Sequence, residues 1–144
     1  MADPRLSVSF EEVGAEYATF KIDNSEIVYS ATSSGGAAAT MIGHAVALSA
    51  AGTVDLADDG EVVVGKLIKV ESDNTCVVQI AGGMTLPGGN GASLTLGKKI
   101  VGAQDALSAK GHIREVATGT AAELGRCRGM ILDAGTTTAV QVYL

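Results

Sequence analysis

Residues 97–144 read as a second copy of residues 43–80. The earlier segment runs Gly43-HAVALSAA-Gly52-TVDL and then Gly65-KLIKVESDNTCVVQI, ending at Ile80. The later one runs Gly97-KKIVGA, then Gly111-HIREV, then Gly129-MILDAGTTTAVQVYL, ending at Leu144. In each, one Gly opens a short apolar strand, a second opens another, and a third opens a hairpin. The hairpins align with one gap: Leu67-Ile68 falls over Ile131-Leu132, and Val78-Gln79-Ile80 over Val140-Gln141-Val142. A unit of strands and turns written twice buries its apolar faces in a closed or sandwiched core. The expected fold is all-β, a small β-barrel or β-sandwich built from two similar halves, with an N-terminal β-hairpin arm.

The expected strands of the body lie near 42–49, 53–56, 61–71 and 75–82, then near 98–102, 112–117, 127–133 and 138–143. Ser72-Asp73-Asn74 marks a tight hairpin, and Asp58-Asp59-Gly60 a turn. Residues 120–126 (TAAELGR) suit a turn or two of helix, with Thr120 as N-cap and Glu123 completing a capping box. Ahead of the body, residues 6–13 alternate, with Leu6, Val8 and Phe10 on one face. Residues 17–22 (YATFKI) read as their hairpin partner. Residues 30–40 (SATSSGGAAAT) are low in complexity and read as a linker. The expected organisation is therefore an arm and linker over 1–34 and a duplicated body over 35–144, the N-terminal hairpin either docking on a partner as an arm or completing the body's own sheet. Residues 82–93 (GGMTLPGGNGAS) read as an exposed loop or a subunit contact.

Aliphatic and small residues supply the apolar content. Hydrophobic residues make up 47% of the chain but aromatics only 3%, and there are 19 glycines. Such a mix suits curved sheets with close backbone approach and suits aromatic-lined pockets or base-stacking platforms poorly. The net charge of −6 disfavours nucleic acid, which needs clustered Lys and Arg. The charge is uneven: residues 1–97 are acidic, whereas 98–144 carry six cations against four anions. Head-to-tail complementarity between subunits is one consequence of such a split, and solvated faces are the plainer one. Cys76 and Cys127 stand alone in apolar strands and read as small buried hydrophobes. The opening MADPRLSVSFEE has no basic start followed by an apolar run, so no signal peptide is expected. Residues 35–51 fall short of a membrane span.

Chemistry-bearing patterns are sparse. Gly97-Lys98 invites a P-loop comparison, but Ala92 stands where that motif needs Gly, and Lys99 where it needs Ser or Thr. His44 and His112 read as corresponding strand starts, and one His per copy is thin support for a metal pair. Asp58-Asp59-Gly60-Glu61 lacks the spacing of a calcium loop. No nucleophilic triad or carboxylate pair stands out. The expectation is a non-enzymatic chain with no cofactor and no metal.

The phrases Gly43-HAVALSAAGTVDLADDGEVVVGKLIKV and Gly129-MILDAGTTTAVQVYL resemble the capsid decoration (cement) proteins of tailed bacteriophages, in which Gly-led short strands alternate with Ala/Thr/Asp turns. The likeness covers about residues 40–144. It implies a structural virion protein on the capsid exterior, assembled in the host cytoplasm. Its expected partners are the major capsid protein and itself, as a homotrimer. Leu6, Val8, Phe10, Tyr17 and Phe20 are the expected capsid-gripping residues. Met84, Leu86, Pro87 and Asn90 are the expected subunit-contact residues. A glycan- or small-molecule-binding barrel is the alternative, and a small β-barrel enzyme a more distant one.

Overall fold

The computed structural model describes residues 11–36, 41–89, 94–117, 121–136 and 139–144. The strands that the glycines delimit form, and they form a barrel first. Its staves are β1 (Glu16–Ile22), β2 (Ala45–Ala50), β3 (Thr53–Leu56), β4 (Gly65–Val70) and β5 (Thr75–Ala81), in the closed order β1-β3-β2-β4-β5. All neighbours are antiparallel except β1 and β3, which pair parallel through Lys21↔Thr53 and Ile22↔Val54. The β4–β5 turn is held by Asp73, whose Oδ1 accepts from the Thr75 amide at 3.2 Å and hydroxyl at 2.6 Å, while Asn74 takes φ 60°.

A second set of strands follows: β6 (Gly83–Leu86), β7 (Ile100–Ala103), β8 (His112–Glu115), β9 (Met130–Thr136) and β10 (Ala139–Tyr143). A four-residue helix, α1 (Ala121–Leu124), precedes β9. The expected cap Thr120 lies outside the described residues. Strands β6-β10-β9 form one antiparallel sheet and β7-β8 another. Two narrow seams join them. Gly88 and Ile113 form a parallel bridge, and Ile100 and Arg128 an antiparallel one. With the seams counted, the neighbours run β6-β8-β7-β9-β10, the order of the first barrel advanced by five strands. The parallel neighbour recurs in the same place.

The duplication is therefore real in topology but longer than the sequence phrasing. The hairpins β4–β5 and β9–β10 correspond, as aligned. Each unit also takes in a preceding strand, β1 or β6, that the alignment left out. Two expectations change with this. Residues 16–22 do not stand apart as an arm, because β1 pairs along its length with β5 and turns Ala18, Phe20 and Ile22 inward. The expected loop 82–93 begins with β6, whose Met84 and Leu86 are wholly buried. A side chain sealed in its own core supplies no subunit contact. Only four residues between glycines left little periodicity to read. Leu6, Val8, Phe10 and Asn90 lie outside the described residues.

Two apolar cores result, and β2 is the wall between them. Val46 points into the first barrel with Ile22, Val54, Leu67 and Val78. Ala45 and Ala47 point the other way, with Ala57 and Val63, onto Met84, Leu86, Ile100, Ile113 and Val142. Small side chains on that wall let two sheets approach closely. Gly102 shows the tolerance: a Cβ there would meet the Asp58 carbonyl oxygen at 2.2 Å. Backbone bonds cross the same joint, from Ala45 N–H to Gly111 O at 2.7 Å and from Gly111 N–H to Ala57 O at 2.8 Å.

Arg128 fastens the joint. It lies in the second unit and reaches into the first, donating to the carbonyls of Val64 at 2.6 Å, Val63 at 3.3 Å and Ile80. Burial lowers its pKa, but Arg stays charged at any ordinary pH. Removing it strands carbonyls that face away from water. Arg128→Met is expected to lower the unfolding free energy by about 2–4 kcal/mol, and Arg128→Lys by less, in urea titrations. An unchanged midpoint in the Met variant would show that the clamp contributes nothing.

Candidate functional site

The densest polar constellation sits where the two units meet. His44 precedes β2 and His112 opens β8, so the pair does not occupy corresponding positions as the sequence suggested. The counterpart of β8 is β3, which starts with Thr53. The fold brings them together all the same, with ring centroids 5.1 Å apart and planes at 79°. Gly111, at φ 90°, makes this approach possible, because a Cβ there would lie 2.9 Å from both Cβ and Nδ1 of His44. A cleft of about 560 Å³ opens beside the rings, lined also by Glu26, Met41, Leu56, Asp105 and Lys110.

The charges around the cleft are largely committed. Lys110 Nζ lies 2.7 Å from Glu26 Oε1 and 3.5 Å from Asp58 Oδ2. Asp105 Oδ1 accepts from the amides of Leu107 and Ala109, both at 2.8 Å, which fixes the loop that forms one rim. These bonds lower the Asp105 pKa. Among the described residues, the shielded atoms Glu26 Oε2, His44 Nδ1 and His112 Nδ1 find no hydrogen-bond partner. Burial lowers the His44 pKa, and the facing His112 adds to this, while the Lys110 backbone and Asp105 oppose it. His44 is thus neutral at pH 7. Among the described residues, no three His, Cys, Asp or Glu side chains come together to hold a metal.

Asp58-Asp59-Gly60-Glu61 is spent on the fold. Asp58 Oδ1 accepts from the Asp59 amide and Gln104 Nε2, and Asp59 pairs with Arg114 at 2.8 Å. Arg114 also grips Glu123 of α1, whose Oε2 accepts from the Ala117 amide at 2.9 Å. The Arg114 bonds, with that amide, pull the Glu123 pKa down to about 2. Cys76 is buried, which pushes its thiol up to about 11. Cys127 is only half-buried, against the expectation, and its Sγ lies 3.2 Å from Leu124 O.

A second feature is apolar and exposed. Tyr17 is 49% and Tyr143 42% exposed, and both are tyrosines on outward faces of their strands. Met130 pairs with Tyr143 across β9–β10, and Val13 adjoins Gly14, where a Cβ would lie 2.9 Å from the Tyr143 hydroxyl oxygen. Of the expected gripping residues, Tyr17 is exposed, its hydroxyl 3.4 Å from Glu12 Oε1. Phe20 is half-buried against the barrel core and is largely unavailable. Pro87 is half-buried, its carbonyl accepting from Ile113 N–H at 2.9 Å. Sequence reasoning missed Tyr143 and Met130 as part of a surface, because the β9–β10 register is what sets them side by side.

Compared with known proteins, the chain matches no family model, and no curated protein or solved structure is significantly similar to it. No helix among the described residues is long and apolar enough to cross a membrane.

Two acidic steps in stability are expected, with different origins. His44 has a folded pKa below its ordinary 6.5, so the unfolded chain binds the proton more readily. Its contribution is complete above pH 6.5 and is lost as pH falls from there towards the folded value. Glu123 contributes above pH 4.5, and that contribution fades as pH falls towards about 2. Unfolding free energy measured against pH is expected to lose the upper step in His44→Gln and the lower step in Glu123→Gln. Retention of both steps in both variants would contradict these assignments.

Proposed function

We propose that this chain is a structural protein of a phage virion that binds the outer capsid surface and cements neighbouring capsid subunits. The observation that carries the reading is the exposure of the large apolar side chains Val13, Tyr17, Met130 and Tyr143 on a body of two joined sets of strands. Aromatic side chains dominate interface energetics, and this chain has few to place. Tyr17 and Tyr143 are two of its five, and both are exposed. The chain enters that surface at Glu11–Val13, directly after the alternating Leu6-Ser7-Val8-Ser9-Phe10 segment, so residues 6–10 and the patch are neighbours in the chain.

A cement protein needs stiffness and repeated weak contacts more than chemistry. Symmetry multiplies each contact, and avidity supplies the strength. The fused cores provide a stiff body, and the net negative charge keeps free copies apart before they meet the shell. The major capsid protein is the proposed partner. A homotrimer at three-fold positions is the proposed arrangement, with the acidic front of one copy facing the basic back of the next.

Co-sedimentation with expanded empty capsids tests the reading. The wild-type chain is expected to saturate the capsids at a fixed stoichiometry. Tyr17→Ser/Tyr143→Ser is expected to stay folded and to bind at least about 30-fold more weakly, as the loss of two anchoring aromatics implies. Absence of any capsid binding by the wild-type chain would falsify the proposal.

A further inference from the structure

The two units match residue for residue around one strand edge, and only one of the two edges is covered. In the first unit, Ala57 N–H donates to Ala45 O at 3.0 Å and Val64 N–H to Val46 O at 2.8 Å. In the second, Val116 N–H donates to Lys99 O and Arg128 N–H to Ile100 O, both at 3.0 Å. Leu48 pairs with Val54 as Gly102 pairs with Ile113, so Leu48 of β2 stands where Gly102 stands in β7. Gly102 has a partner there: its N–H donates to Glu61 O at 2.8 Å, and its carbonyl accepts from Gly60 N–H at 3.0 Å. The acidic turn Asp58–Glu61 of the first unit thus covers the edge of the second. Leu48 has no such cover among the described residues and is 57% exposed. We propose that the β2 edge at Leu48 is a docking site for an extended acidic segment of a partner protein, which adds there as Asp58–Glu61 adds to Gly102.

Strand geometry aims the Leu48 backbone at the open side. Alternate residues of a strand turn their N–H and C=O to the same edge. Val46 O meets Val64 N–H on that edge, so Leu48, two residues on, presents its own groups there. Pairing of β2 with β4 covers only Ala45 and Val46, whereas β2 runs on to Ala50. Gly60–Glu61, the stretch just ahead of Val62–Val64, is drawn away to Gly102. An unpaired strand edge is a template for another chain, whose main-chain bonds supply affinity and whose alternate side chains supply specificity. Beside this edge lies a groove of about 440 Å³ with Ala47, Leu48, Val62 and Val64 in its lining, so an apolar side chain from an added strand finds contact there.

The internal pairing also shows which charge suits such an edge. Asp58 and Asp59 of the covering turn are met by Lys110 and Arg114 of the second unit, at 3.5 and 2.8 Å. At the Leu48 edge the cation is Arg126, exposed in the lining of the groove. Arg is charged at any ordinary pH. Among the described residues Arg126 makes no salt bridge; Glu123 feels its charge but is held by Arg114. Glu61, which also lines the groove, is turned to its own loop, with Oε2 accepting from the Asp58 amide at 2.9 Å. A carboxylate on the incoming segment is therefore matched at Arg126, and a basic side chain is not. The inference goes beyond the capsid reading and does not rest on it, since Leu48, Val62 and Arg126 are not among the residues that carry that reading.

Backbone ¹H–¹⁵N spectra of the full chain decide it. The probe is a peptide of the chain's own covering segment, residues 54–62 (VDLADDGEV), acetylated and amidated. It would be titrated at pH 7 to about 5 mM, a range suited to millimolar affinity. Saturable shifts centred on Leu48 and Ser49 are expected. A neutral peptide, carrying Asp55→Asn, Asp58→Asn, Asp59→Asn and Glu61→Gln, is expected to bind about fivefold more weakly. Arg126→Gln in the protein is expected to bring the acidic peptide down to the affinity of the neutral one. The two-peptide comparison needs no variant, so misfolding of Arg126→Gln does not remove the test. Absence of saturable shifts at Leu48 with the acidic peptide overturns the proposal. Equal affinity of the wild-type chain for both peptides overturns the acidic partner. Leu48 shifts that depend on protein concentration without any peptide overturn it in favour of a second copy of this chain. No capsid enters the titration, so its failure leaves the capsid reading to its own test.

Discussion

Strand β2 has no solvent face over Ala45–Ala47, and the remainder of the molecule is arranged around that fact. In a half-buried strand, alternate side chains face water. Here Val46 enters one core and its two Ala neighbours enter the other. The joint between the units is therefore a dry interior wall, so the units are not two beads on a linker. Alanine on the shared wall and Gly102 beneath the Asp58 carbonyl keep the sheets close enough for backbone bonds to cross. Once the wall is dry, any carbonyl at its rim needs a donor. Arg128 supplies that donor to three of them with one planar, always-charged group.

Electrostatics follow the same joint. Glu11 accepts from Lys66 of β4 at 3.0 Å and from the amide and hydroxyl of Thr85 in β6, tying the N-terminal approach to both units. Burial alone would raise the Glu11 pKa, but the bonds from Thr85 and Lys66 outweigh it and lower it. Lys110 of the second unit pairs with Glu26 of the first, and Arg114 with Asp59. Partly exposed pairs of this kind contribute little energy each. Their effect is to fix orientation: each pair is satisfied in one relative setting of the two units. The acidic front and basic back of the sequence are thus partly neutralised within the chain.

The surface that remains has two kinds of opportunity. The tyrosine patch is apolar and open, suited to a broad partner surface. The histidine cleft is mixed in character and is lined from both units, by Glu26, His44 and Leu56 of the first and Asp105, Lys110 and His112 of the second. The two sites lie on different strands, so changes at one leave the other's lining residues in place.

The all-β class, most strand positions and the hairpin at Ser72–Asn74 were legible because they depend on local rules. Glycines at positive φ, Asx turns and runs of Val and Ile are read from a few residues at a time. The duplication was legible for the same reason, through the hairpins that recur at 65–80 and 129–144. What escaped depended on partners far away in the chain. Strand β6 is too short to show a period and is defined by pairing with β10. Strand β1 read as half of an arm because its closing partner β5 lies some 60 positions on. His44 and His112 were both noticed, yet their meeting depends on how two barrels share a wall, and the tyrosine patch depends on the β9–β10 register. The sequence by itself determined that this chain would be a doubled set of short strands with an aliphatic core. Only the tertiary structure decided which residues would face one another across the joint, because that choice rests on close packing between segments whose local signals carry no information about each other.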